Sequence, residues 1–116
     1  MRLWMTGLVA AMALAGGPAL AQDAPTFRVT LKDRRFEPAE IQVPAGQRVV
    51  LMVRNADAAP AEFESKELGV ERVISAGRES TIRVGPLAPG RYPFFDEFHP
   101  EATGTIIAVS SSAAKE

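Results

Sequence analysis

The stretch Gly90-Arg91-Tyr92-Pro93-Phe94-Phe95-Asp96-Glu97-Phe98-His99-Pro100-Glu101-Ala102-Thr103-Gly104 decides the architecture of this chain. Its two-residue alternation places Tyr92, Phe94 and Asp96 on one face of a strand, with the two aromatic residues in the core. Asp96 is then aimed at the end of that core, where a carboxylate needs a partner because burying one unpaired is costly. His99 follows three residues later in the expected loop and can turn back toward the same point. Beyond it, Gly104–Val109 alternates again as a closing strand.

Upstream, the same period recurs. Phe27, Val29 and Leu31 alternate with Arg28, Thr30 and Lys32; Phe36–Gly46 alternates up to a Pro-Ala-Gly turn; Arg48–Asn55 carries the β-branched Val49, Val50 and Val53. Ala56–Pro60 reads as a loop, Glu62-Phe63-Glu64 as a short alternating piece, Ser80–Val84 as a strand and Pro86–Gly90 as a turn. Ser65–Arg72 reads as a helical segment, with Ser65 as its N-cap and Glu67 in its first turn. About seven or eight short strands with turns roughly every ten residues predict an all-β Greek-key sandwich. Its core is expected from Phe27, Val29, Leu31, Phe36, Ile41, Val43, Val49, Leu51, Val53, Phe63, Ile82, Val84, Tyr92, Phe94, Ile106 and Val109.

Composition removes most alternatives. The chain has 116 residues, 13 basic against 14 acidic side chains, one histidine and no cysteine. Without cysteine there is no disulfide framework, thiolate cluster, cysteine nucleophile or thiolate-ligated copper. A single histidine excludes a site of several imidazoles within one chain; a second copy of the chain, in a homodimer, would be the source of another. The balanced charge argues against a nucleic-acid partner, which requires a concentrated basic face. No Ser/His/Asp or phosphate-cradling motif is present.

Residues 1–21 read as a secretory signal: Arg2, the apolar run Leu3–Leu14, and the A-x-A exit Ala19-Leu20-Ala21. Removal leaves a lead-in at 22–26, a domain at 27–109 and a polar tail at 110–116. The mature chain is expected to be soluble and outside the cytoplasm, in a periplasm.

The stretch quoted first resembles the cupredoxin pattern G-x-Y-x-F-x-C-x-x-H-x-x-M-x-G, matched at Gly90, Tyr92, Phe94, His99 and Gly104. Asp96 stands at the cysteine and Ala102 at the methionine. Phe36-Glu37-Pro38 through Ile41, Val43, Ala45 and Gly46 resembles the opening F-x-P-x-x-I-x-V-x-A-G. Asn55 with Pro60-Ala61-Glu62-Phe63 resembles the N-x(n)-P-H segment, with Ala61 and Glu62 where its histidine would be. Glu62-Phe63-Glu64 together with Pro93–Glu101 is similar to the EfeO-type cupredoxin domains of bacterial iron-uptake systems. That resemblance implies binding of copper or iron, ferroxidase-like oxidation of ferrous iron, and partnership with an inner-membrane iron permease or another periplasmic uptake component. Carried over, it makes Glu62, Asp96 and His99 the metal ligands.

Carboxylate and imidazole suit Cu(II), Fe(II) and Fe(III), whereas thiolate and thioether hold Cu(I). Two carboxylates and one imidazole also favour the more highly charged ion, which lowers the Fe(III)/Fe(II) potential. Glu64 and Glu101 are expected as outer carboxylates that attract the incoming cation. Alternation around Phe63 turns Glu62 and Glu64 outward unless a bulge re-aims one of them. Phe95 and Phe98 flank the site as either core or a docking patch. Two rival readings stay open: a non-catalytic copper or iron carrier, and a metal-free interaction module.

Overall fold

The computed structural model describes residues 24–110, so the expected signal at 1–21 and the tail beyond Ser110 lie outside the described residues. The described chain forms nine strands: β1 (Thr26–Lys32), β2 (Arg35–Glu37), β3 (Glu40–Pro44), β4 (Val49–Asn55), β5 (Ala61–Ser65), β6 (Val70–Ile74), β7 (Glu79–Val84), β8 (Gly90–Asp96) and β9 (His99–Val109). They make two mixed sheets, ordered β2-β1-β4-β7 and β3-β9-β8-β5-β6. Strand β1 runs parallel to β4 and β3 parallel to β9; the other neighbours are antiparallel. This is the expected β-sandwich, with no helix among the described residues.

Two segments depart from the sequence expectation. Phe36–Gly46 is two strands in different sheets, because Pro38 has no N–H to continue a ladder and the chain crosses the sandwich there. Ser65–Arg72 is a turn followed by β6. Ser65 Oγ does accept the Leu68 N–H at 3.1 Å, as a cap would. The turn stops at Gly69, whose φ of 68° is left-handed. The β-branched Val70, Val73 and Ile74 then pair with β5 rather than continue a helix.

Both sheets supply one core. Phe36 reaches from the first sheet to Phe63 and Phe94 of the second, with ring centroids 5.0 Å apart for Phe36–Phe94 and 4.8 Å for Phe63–Phe94. The Phe94 ring lies over Gly104, its cross-strand partner. A Cβ at Gly104 would fall 2.6 Å from Phe94 Cε1 and 3.1 Å from the Ala39 carbonyl oxygen, so the core requires glycine there. This aromatic layer sets the depth at which the next inward residue of β8, Asp96, comes to rest.

Candidate metal centre

Strand β8 alternates as the sequence implies, with Tyr92 half-buried, Phe94 buried and Asp96 fully buried at 0% exposure. Asp96 and His99 are the facing ends of the β8–β9 hairpin, joined by Glu97-Phe98, and a register shift sits between Phe95 and Asp96. His99 is therefore the first residue of β9 rather than part of a longer loop. Asp96 Oδ1 accepts the backbone N–H of Glu62 at 2.9 Å and of Phe98 at 3.0 Å. Its Oδ2 lies 3.0 Å from His99 Nδ1. An ionised carboxylate only accepts, so Nδ1 is the donor and the ring lone pair is on Nε2. All of Asp96's bonding is directed at protein N–H groups; it orients the imidazole, as carboxylates behind metal-binding histidines do.

The His99 side chain is 23% exposed and borders a cleft of about 320 Å³ with Leu31, Asp33, Arg34, Asp57–Pro60 and Asp96. Its opposite wall is the β1–β2 turn, in which Asp33 and Arg34 both adopt left-handed φ, 52° and 59°. Asp57 holds that turn by accepting the N–H of Asp33 and, at 2.9 Å, that of Arg34. Burial pushes the Asp57 carboxyl up, but the N–H groups of Arg34 and Asp33 and the charges of Lys32 and Arg34 outweigh it, leaving Asp57 below its ordinary value. Asn55, fully buried, fixes the third wall: Nδ2 donates to the carbonyls of Ala59 (2.8 Å) and Ile74 (3.0 Å), and Oδ1 accepts the Asp57 N–H at 3.0 Å.

The three residues implied as ligands do not converge. Glu62 contributes its backbone N–H to Asp96, while its side chain stands on the outer face of the sheet. The reason is the alternation itself: Ala61, Phe63 and Ser65 point inward and are buried, and no bulge interrupts β5. Glu62, Glu64 and Glu97 there bring one carboxylate oxygen each within 4.8 Å of one another. Glu71, directly across from Glu64 on β6, adds a fourth carboxylate. Desolvation, a hydrogen bond that protonated Glu62 donates to Glu71, and the charges of Glu71, Glu97 and Asp96 raise the Glu62 pKa. Glu64 is raised by its hydrogen bond with Glu97, by desolvation and by the charges of Glu97, Glu71 and Glu62. Glu101 lies elsewhere, at a depression shared with Arg34, Arg35 and Phe36. Phe95 is half-buried and Phe98 is 46% exposed beside His99.

The sequence marks Glu97 as a rim charge with Glu64 and Glu101, but sequence reasoning overlooked Glu71 as a member of the acidic group, and Asp33, Arg34 and Asp57 as walls of the cleft. Glu71 was hidden by the helical reading of its segment. The place of Glu97 beside Glu62 and Glu64 becomes legible only once β5 and β8 are known to be neighbours.

The cupredoxin-like domain family matches residues 5–108. The chain belongs to that family. An uncharacterized protein of Rickettsia prowazekii is 34% identical over 83 residues, covering 72% of this chain and 66% of that relative, so the chain spans just under two thirds of its length. Among solved structures, the metal-binding domain of the Streptococcus pneumoniae Cu(I)-exporting P-type ATPase CopA, with Cu(I), has a TM-score of 0.66 at 23% identity, over 72% of this chain and 84% of that one. A purple cupredoxin from Nitrosopumilus maritimus gives 0.56 at 17% identity, over 75% and 100%. Auracyanin of Roseiflexus castenholzii gives 0.61 at 15% identity, over 76% and 99%. At these identities the structural neighbours establish the cupredoxin-like fold. A thiolate-ligated copper ion does not fit this member: there is no cysteine, and the buried Ala61 and Ala102 offer no donor atoms where the pattern has histidine and methionine.

Proposed function

We propose that this cupredoxin-like protein works outside the cytoplasm, in a periplasm, as a binder of Cu(II) or iron that assists oxidation of ferrous iron and its delivery to an iron permease. The observation that carries the reading is the buried Asp96 carboxylate holding His99 with Nε2 left for a metal at the edge of an open cleft. Imidazole nitrogen and carboxylate oxygen are donors for Cu(II), Fe(II) and Fe(III) rather than for Cu(I). The carboxylates near the hairpin favour the more highly charged ion, so the bound ferrous ion is the easier one to oxidise. Each Fe(II) becomes Fe(III) by giving one electron to dioxygen or to a Cu(II) ion, the latter becoming Cu(I).

Calorimetric titration of the purified protein with Cu(II), followed by a ferrous oxidation assay in air, tests this. The expected result is Cu(II) binding that is lost in His99→Gln, with wild-type protein accelerating oxidation over buffer. Binding without acceleration would leave a carrier. Absence of binding to wild type would overturn the reading and leave the exposed Phe98 and the acidic rim as a docking surface.

A further inference from the structure

We infer that the outer face of the β2-β1-β4-β7 sheet docks reversibly on an anionic lipid bilayer. The inference does not rest on the metal reading. Alternation fixes which side chains this face presents: Val29, Leu31, Phe36, Val53 and Ile82 are buried, so their neighbours along each strand point outward. Those neighbours include Arg28 and Lys32 of β1, Arg35 of β2, Arg54 of β4 and Arg83 of β7, all exposed and held on one surface by the register of the four strands. The acidic residues among them are Glu37 and Glu79, and Glu79 is engaged by Arg28 at 3.3 Å. Among the described residues, no ion pair occupies Arg35, Arg54 or Arg83.

The opposite face has the opposite sign. Glu40, Glu62, Glu64 and Glu71 stand on the outer surface of the other sheet, where Arg91 pairs with Glu40 at 3.1 Å. The 13 basic and 14 acidic side chains nearly cancel in number, but those on the two sheets are sorted in space. An anionic plane therefore attracts one face and repels the other, which orients the molecule as well as holding it. Two features favour a bilayer over a shaped partner. The cations come from all four strands, with half-buried Val50 and Met52 between them, so the face is broad and its charge is spread over it. Four of the five are arginines, whose planar fork of donors matches phosphate oxygens such as those of lipid headgroups. The His99 cleft takes none of its lining from these outward residues, so docking leaves it open.

The probe is vesicles of equimolar phosphatidylcholine and phosphatidylglycerol, co-sedimented with the purified protein and compared with vesicles of phosphatidylcholine alone. Wild type is expected to prefer the anionic vesicles, and to be released as the screening length falls from about 30 Å at 0.01 M to about 3 Å at 1 M salt. Arg35→Glu and Arg83→Glu are each expected to weaken that binding about tenfold, since each exchanges an attracted charge for a repelled one. Both arginines are exposed, and circular dichroism checks that the variants fold. Lys66→Glu changes the net charge equally but lies in the turn after β5, outside the face, and is expected to bind as wild type does. All the proteins compared share residues 1–21, so the differences between them report the face. No preference of wild type for anionic vesicles, binding unchanged in both arginine variants, or an equal loss in Lys66→Glu would each overturn the inference. Binding to polyglutamate or duplex DNA without binding to vesicles would overturn it too, in favour of a different polyanion. His99→Gln is expected to bind vesicles as wild type does, so failure of the metal reading leaves this result untouched.

Discussion

Asp96→Asn keeps the shape of a fully buried side chain and changes one atom from acceptor to donor. In the wild type, the carboxylate accepts from Glu62 and Phe98 through Oδ1 and from His99 through Oδ2. The asparagine oxygen can still serve the two backbone groups. A hydrogen bond to a charged acceptor contributes about 1.5–3 kcal/mol and to a neutral one about 0.5–1.5 kcal/mol, so weakening two of them costs about 2 kcal/mol. Its NH2 then faces His99 Nδ1, which must become the acceptor, and the ring proton moves to Nε2. Metal affinity at Nε2 is expected to fall about 10–100-fold although the histidine is unchanged. Asp96→Ala is harsher, leaving the part-buried N–H groups of Glu62 and Phe98 without their acceptor, at up to about 1–3 kcal/mol each. Urea denaturation measures the stabilities, imidazole 15N NMR the tautomer, and calorimetry the Cu(II) affinity. An asparagine variant with wild-type Cu(II) affinity and its proton still on Nδ1 would refute the reasoning.

Three further outcomes follow from the same geometry. Gly104→Ala drives a Cβ into the Phe94 ring, which Phe36 and Phe63 hold in place, and should cost at least about 1–3 kcal/mol in urea unfolding; a neutral effect would mean the ring can move. Asn55→Ala removes three hydrogen bonds, to the Ala59 and Ile74 carbonyls and from the Asp57 N–H, an expected loss of about 2–4 kcal/mol with an unchanged m-value. Glu62 and Glu64 have raised pKa values in the fold, so their stabilising contribution is complete below the ordinary glutamate value and is lost as pH rises through the raised ones. Glu64→Gln in metal-free buffer should therefore melt higher than wild type at neutral pH, with the difference vanishing near about pH 3; the opposite trend would show that no repulsion is stored there.

The sandwich was legible because its strands repeat a two-residue period with bulky residues on one side. Val29, Leu31, Phe36, Leu51, Phe63, Phe94 and Ile106 are buried where alternation places them. Small residues carry no such signal, so the buried Ala61, Ala102 and Ala108 emerge only from packing. Strand β6 was obscured by a serine and glutamate that imitate a helix start, which tertiary pairing with β5 overrides. For the site, sequence period alone put Asp96 inward and His99 within reach. It could not supply the register of the hairpin, which makes the two residues direct partners and gives Asp96 the role of orienting group. Nor could it bring Glu97 beside Glu62 and Glu64, because that meeting depends on β5 and β8 being neighbours.

The central claim is that His99, held by Asp96, supplies one imidazole nitrogen to a metal without sulfur ligands. Pulsed EPR of the protein loaded with one equivalent of Cu(II) tests it most directly. The account predicts modulation from a single imidazole, no intense thiolate-to-copper absorption, and loss of the nitrogen signal in His99→Gln. A Cu(II) spectrum without imidazole nitrogen, or one identical in the glutamine variant, would contradict it.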